Sequence, residues 1–456
     1  NDTEEAPEKI SKQLIATSKR RPNDIPFLGE WKNILPNFKS EENSELRTEM
    51  IWNAYALEAM ATYNQFYNET YIPQGCAYEF GGGNIAGTRD HLQHSLPLAY
   101  YNPELAKSII MYILKKMLRT GEIPFTESGI AFTSDMKWRT SDQQLYLFLA
   151  ISEYLRITGD YNFLTTKVPN VWDLFQMEGI VYDYLEQAYI YFRDEVKTGA
   201  HGLPRLMNSD WNDQLVSEAE HDVSFFRASS HLNAAMAVVT LNNLASQLQN
   251  ARTSGINLPE KAGDLISSLE MYRDQIWNAL KNDVKDRLFS RRAWYNNTVS
   301  IGDSVMYLSP QSYLLQIPEF PMARKEILFS AIEKQLMNNE VLGARSREST
   351  ENNKQYKGEG ENGGIWFALN GSLITGVSTF NKQKALEMLI DIGFINYAKN
   401  YPDYWIGHWT GADHFNSSLS EYHGLVNRVQ KTMVKFPVFC GHAHAWPLFC
   451  YLKIKE

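Results

Sequence analysis

Residues 87–104 read Gly-Thr-Arg-Asp-His-Leu-Gln-His-Ser-Leu-Pro-Leu-Ala-Tyr-Tyr-Asn-Pro-Glu. Helical periodicity runs from Thr88 to Tyr100, and Asn102-Pro103-Glu104 then supplies a helix N-terminal signal for a second segment reaching Leu118. In front lies a loop, Pro73 to Asn84, too rich in glycine for regular structure. The unit is a helical hairpin preceded by a long loop.

Working outward, the same unit recurs. Upstream, Met50, Ile51, Ala54, Leu57, Met60 and Tyr63 give helical spacing over 44–67, and residues 1–40, with Pro22, Pro26 and Pro36, read as an extended lead-in. Downstream, amphipathic segments fall at about 141–157, 176–196, 229–250, 259–282, 308–317, 321–337, 364–379, 382–398, 417–430 and 442–453. Strand alternation is confined to short pieces near 123–132 and 287–300. Roughly a dozen helices, joined alternately by short turns and long Gly/Trp-rich loops, predict an all-α (α/α)6 barrel, a six-hairpin toroid with minor short strands in its loops. The expected organisation is a lead-in over 1–40 and one catalytic domain over 41–456. A solenoid is the structural alternative, and no fixed-period repeat supports it.

Composition narrows the function. The chain of 456 residues is 44% hydrophobic with a net charge of -9, and its Lys and Arg are scattered. Nucleic acids and anionic membranes require a concentrated basic footprint, so neither is an expected partner. No apolar run approaches the roughly 18 residues of a membrane span. Cys76, Cys440 and Cys450 form neither a disulfide framework nor a metal-ligand pattern, and Cys450 reads as a free buried thiol. Sequons at Asn68, Asn296, Asn370 and Asn416, and an initial Asn in place of Met, tilt the expectation towards a secreted or periplasmic location. The oligomeric state is left open.

Chemistry concentrates in the loops. Asp210-Trp211-Asn212-Asp213 places two carboxylates about an aromatic ring, where partial desolvation raises a carboxyl pKa and a flat apolar face suits a sugar. The competing reading is a capping box with Asp210 at the N-cap. Arg89-Asp90 can grip vicinal hydroxyls as donor and acceptor, or simply satisfy a helix dipole. In Arg139-Thr140-Ser141-Asp142, Ser141 reads as an N-cap. Gly358-Glu359-Gly360-Glu361-Asn362-Gly363-Gly364 sets two acids among four glycines, a pattern that packing does not explain. His408-Trp409-Thr410-Gly411-Ala412-Asp413-His414 could line the same mouth; its spacing matches no strong metal motif, so neither a metal nor a cofactor is expected. His442 and His444 read as packing or loop-tethering residues.

Five motifs occur in register: Gly-Thr-Arg-Asp-His-Leu-Gln (87–93), Thr158-Gly159-Asp160-Tyr161, Asp210-Trp211-Asn212-Asp213, Ser309-Pro310-Gln311-Ser312 and Glu361-Asn362-Gly363-Gly364. Over about residues 45–455 the chain resembles the (α/α)6 catalytic domain of cellobiose/chitobiose phosphorylase-type enzymes, inverting members of the six-hairpin glycosidase superfamily. The resemblance implies Asp213 as general acid, Trp211 as sugar-stacking ring, Arg89 and Asp90 as hydroxyl clamp, and Glu361 as the carboxylate of the Glu-Asn-Gly-Gly loop. Asp210, Gln311, Asn362, His408, Trp409 and His414 complete the expected substrate-binding set. Two features depart from that family: its N-terminal β-sandwich is missing, and Ile365-Trp366-Phe367-Ala368-Leu369 lacks the phosphate-binding His. The lead expectation is therefore inverting hydrolysis of β-linked gluco-oligosaccharides, with Asp213 as acid and Glu361 as base, Glu359 and Asp413 standing as alternatives. The second is a phosphorylase with inorganic phosphate as co-substrate, and the third a non-catalytic oligosaccharide-binding protein.

Overall fold

Thirteen α-helices are found among the described residues of the computed structural model, which are 31, 34–75, 84–128, 132–134, 138–171, 176–216, 219, 222–349, 356–404, 413–425 and 440–456. In order they are α1 (Ser44–Met60), α2 (Thr88–Tyr101), α3 (Pro103–Leu114), α4 (Gln143–Thr158), α5 (Val181–Tyr191), α6 (His231–Thr253) and α7 (Ala262–Val284). There follow α8 (Leu308–Leu314), α9 (Met322–Leu336), α10 (Phe367–Ser378), α11 (Lys382–Asp391), α12 (Phe394–Asn400) and α13 (His442–Lys455). The opening hairpin forms as its residues dictate: the Asn102 side chain accepts the Leu105 N–H, and Pro103 begins α3 where no donor is needed.

Packing closes a ring. Helix α2 packs on α4, α4 on α6, α6 on α8, α8 on α10, α10 on α13, and α13 returns to α2. Each has an outer partner: α3 on α2, α5 on α4, α7 on α6, α9 on α8, α11 on α10 and α1 on α13. This is the (α/α)6 barrel.

The two layers differ as their surroundings require. Inner helix α10 is buried all round except at Thr375 and Ser378, whereas outer helix α7 buries one stripe: Leu265, Ile266, Leu269, Tyr272, Ile276, Trp277, Leu280 and Val284. Where α10 meets α13, a Cβ on Gly371 would stand 2.4 Å from Trp446 Cε3, so glycine is what lets these helices approach. The first turns of the inner helices meet at one end. Asn233 of α6 donates to Ser141 ahead of α4, Arg89 of α2 reaches Asp142, and His442 of α13 reaches Asp90. The loop 209–213 enters the ring at that end, bonded to Arg89 and to Ser141.

Several elements depart from expectation. Residues 417–425 form turns instead of a helix, because Ser417 Oγ bonds Gly358 O and the Leu419 N–H, and Gly424 takes φ +76°. The segment 382–398 divides into α11 and α12, since the Glu49 carboxylate of α1 receives the Phe394 and Ile395 N–H groups and starts a new helix. Residues 176–180 precede α5, with Gly179–Ile180 paired to Lys167–Val168. Short strands also link Ile365–Trp366 to His414–Phe415, and Ser229–Ser230 and Ser300–Ile301 to Ala293–Trp294. Among the described cysteines, Cys440 and Cys450 are free and buried, and no described helix is long and apolar enough to cross a membrane. Of the lead-in, only Trp31 and residues 34–40 are described.

Candidate active site

The loop 209–213 is built from its base upward. Asp210 is fully buried and receives Arg292 on both oxygens, at 2.5 and 2.7 Å, together with the Ser230 hydroxyl at 2.5 Å and the Asn212 N–H at 3.1 Å. Burial works against its charge, but Arg292 and the other donors hold the carboxyl below the ordinary aspartate range. Asp210, expected in the substrate-binding set, is thus held at the buried base of the loop by Arg292 and Ser230. Arg292 comes from the short strand region before Ala293, and no local motif marks it.

Above this anchor stands Arg89. Its Nη2 bonds both oxygens of Asp213 at 2.9 and 3.0 Å and Trp211 O at 3.0 Å; its Nη1 bonds Asp142 at 3.0 and 3.2 Å and Asp210 O at 3.1 Å. The Arg89 guanidinium is thus bonded to this loop and to Asp142. Asp213 also receives the Ser209 hydroxyl at 3.3 Å. Its side chain keeps 41% of its surface accessible, so it is recessed in the mouth without being sealed. The protein around it raises its pKa by desolvation, with Arg89 opposing. The balance favours the protonated form relative to an ordinary aspartate, on a carboxyl with an accessible face.

Asp142 is the site residue that the sequence reading passed over. Ser141 does not cap α4; its hydroxyl bonds Leu206 O and Ser209 O, fastening the two loops together. Asp142 is buried, and desolvation lifts its pKa to about 6 against the pull of Arg89. Asp90 lies in the first turn of α2, receiving Gln93 at 3.1 Å, with His442 Nε2 at 3.1 Å; His442 Nδ1 is 2.8 Å from Asp413. Burial disfavours the His442 cation, yet Cys440, Asp90 and Asp413 together raise its pKa. Asp413 is 3% exposed and also receives the Cys440 thiol at 2.8 Å. Expected as an alternative base, Asp413 lies buried beside His442 as its counter-charge. The same three side chains lie close enough to resemble a metal cluster. Cys440 Sγ and His442 Nδ1 each lie 2.8 Å from the Asp413 carboxylate.

The glycine-rich loop meets the loop 209–213 through Trp366 and Trp211. Gly358, Gly360 and Gly363 have φ of +74°, +51° and +107°, and a Cβ on Gly364 would fall 2.8 Å from Gly360 O. The glycines are thus required by the turn itself. Trp366 Nε1 bonds Gly360 O at 2.8 Å, and its ring meets Trp211 edge-on at 4.9 Å, which joins this loop to the Asp213 loop. His414 is tilted on Trp366 at 4.4 Å and accepts the Gly360 N–H at Nε2; burial lowers its pKa to about 4, leaving it neutral. Glu361, Asn362 and Glu359 are half-buried on this loop, and Glu359 receives the Ser420 hydroxyl at 3.3 Å. Gln311 is placed elsewhere: it is fully buried, with its amide bonded to Ser290 and Tyr307 backbone, a strut between loop and helix. His408 and Trp409 lie outside the described residues.

Residues 30–392 match the glycosyl hydrolase 94 superfamily, catalytic domain. The chain is 24% identical over 240 residues to the cyclic beta-(1,2)-glucan synthase NdvB of Rhizobium meliloti (strain 1021), covering 48% of this chain and 8% of that protein. It is 30% identical over 140 residues to the solabiose phosphorylase of Paenibacillus borealis, covering 31% of this chain and 17% of that protein. The aligned regions thus span under a fifth of either relative. A solved structure, an uncharacterized conserved protein from Thermus thermophilus, aligns with a TM-score of 0.49 at 12% identity, covering 89% of this chain and 99% of that one. The ring of six helical hairpins and the match over most of its length place the chain in the glycosyl hydrolase 94 superfamily of carbohydrate-active enzymes, as a catalytic domain.

Proposed function

We propose that the chain is an inverting β-glycoside phosphorylase acting on gluco-oligosaccharides. Asp213 gives its proton to the glycosidic oxygen as the C1–O bond breaks, and an oxygen of inorganic phosphate forms the new bond to C1 from the opposite face. The products are a sugar 1-phosphate of inverted configuration and the shortened saccharide. Supporting this reading, all five aspartates Asp90, Asp142, Asp210, Asp213 and Asp413 have a cationic partner, and among them Asp213 alone combines a raised pKa with an accessible face. One proton donor is all that phosphorolysis asks of the protein, since phosphate is itself the nucleophile. Superfamily membership and the likeness to a solabiose phosphorylase point the same way. Trp211 supplies a ring for the sugar, with Asp90, Glu361 and Asn362 as hydroxyl partners.

A second reading is inverting hydrolysis with Glu361, or Glu359, activating water. It is favoured by the lack of His in Ile365–Leu369 and by the engagement of Arg89 with carboxylates, which leaves less positive charge for an anion. Candidate disaccharides incubated with and without phosphate separate the two. Sugar 1-phosphate formed only when phosphate is present is the expected result; phosphate-independent release of free sugar refutes phosphorolysis. Asp213→Asn should lower turnover on unactivated substrates at least about 100-fold, the scale of general acid catalysis. Near wild-type turnover would remove Asp213 from the role.

A further inference from the structure

Arg89 divides its two terminal nitrogens between two carboxylates. Nη2 takes Asp213, which faces the mouth, and Nη1 takes Asp142, which is buried behind it at the start of α4. The guanidinium is planar and rigid, so the direction of one fork fixes the direction of the other. Trp211 O and Asp210 O take further hydrogens of the same group, and Asp210 is immobilised by Arg292. Asp142 therefore has no contact with the mouth, yet it sets both where Arg89 points and how its single positive charge is divided.

We propose that Asp142 is a positioning residue for the proton donor: by holding half of the Arg89 guanidinium, it orients Asp213 and limits the positive charge that Asp213 receives. This rests on Asp213 being the donor. A lone arginine facing a catalytic acid would favour the carboxylate and strip it of its proton. A second, buried carboxylate on the same arginine offsets that effect without meeting the substrate. The charged and titratable groups facing the pair are Arg89, Asp90 and the Ser209 hydroxyl around Asp213, and Arg89, Asp210, Tyr146 and Tyr313 around Asp142. Burial puts the Asp142 carboxyl itself at about 6, within a readable pH range.

The test is a carboxyl-carbon NMR titration of substrate-free protein labelled at aspartate Cγ, with Asp213 and Asp142 assigned by Asp213→Asn and Asp142→Asn. In Asp142→Asn the Asp213 midpoint should move down, and in Asp142→Glu it should return towards wild type. The acid-dependent limb of kcat/KM should shift by the same amount as the NMR midpoint, at whatever pH each is centred. In the wild type, the Asp213 resonance should show a second inflection at the Asp142 midpoint, a measurement that stands even if Asp142→Asn fails to fold. An Asp213 trace with one step and no inflection there, or an unmoved midpoint in folded Asp142→Asn, overturns the proposal. Failure of the donor reading is seen separately, as retained turnover in Asp213→Asn, because the titration needs no substrate.

Discussion

Asp210→Asn asks how much of the site is held by one buried charge pair. The Asp210 side chain is 0% exposed and the Arg292 side chain 1%. The substitution turns one carboxylate oxygen into an NH2 group facing a guanidinium N–H, so two donors meet and Arg292 is left as a buried cation without its counter-charge. Breaking one side of such a pair costs about 3–5 kcal/mol. With an unfolding entropy of roughly 2 cal/mol/K per residue, this 456-residue chain has about 1 kcal/mol/K, so the melting temperature should fall by about 3–5 °C. Arg292→Met should fall by a similar amount, since it strands the carboxylate. The double variant Asp210→Asn/Arg292→Met removes both charges and should recover a large share of the loss, which a double-mutant cycle reads as positive coupling. Calorimetry at neutral pH supplies the numbers, and added salt should change them little because the pair is shielded from solvent. A single variant melting within about 1 °C of wild type, or a double variant melting below both singles, would refute the account.

Glu49 gives a pH prediction of definite sign. Burial pushes its carboxyl up to about 7 even though it receives two backbone N–H groups of α12. The folded-state pKa is thus above the unfolded value, so the stability linked to the protonated form is complete below about 4.5 and is lost as pH rises through 7, a change of about 3 kcal/mol. The stability of wild type relative to Glu49→Gln, measured by urea denaturation, should fall by roughly that amount between about pH 5 and about pH 8; a constant difference would contradict it. Gly371→Ala would drive a methyl into Trp446 and should cost about 1–3 kcal/mol, read from the same urea midpoints. Unchanged stability there would mean that α10 and α13 can separate without loss.

The helical hairpins were legible because their signals are local. Apolar spacing, Asn102-Pro103 at one start and Gly159 at one end act within a few residues, and Gly159 takes the left-handed φ of +65° that ends α4. Where a distant group intervened, local reading failed. Glu49 divided one expected helix from 345 residues away in the chain, and Ser417 with its neighbours replaced another by turns. The site divides in the same manner. The pattern of acids beside an aromatic ring marked the loop 210–213, while the choice of Asp213 and Trp211 within it came from the resemblance.

By itself the sequence determined the all-α ring of roughly a dozen helices and the loop that carries the proposed acid, since helix periodicity and loop chemistry are written in neighbouring residues. Only the tertiary structure decided what each charge does. Asp142 and Asp213 share Arg89, Asp210 belongs to Arg292, and Asp413 answers His442, because these partners lie between 29 and 124 residues apart in sequence and meet only when the ring closes. In a desolvated interior, the role of a carboxylate is set by the cation beside it, and that neighbour is a property of the fold.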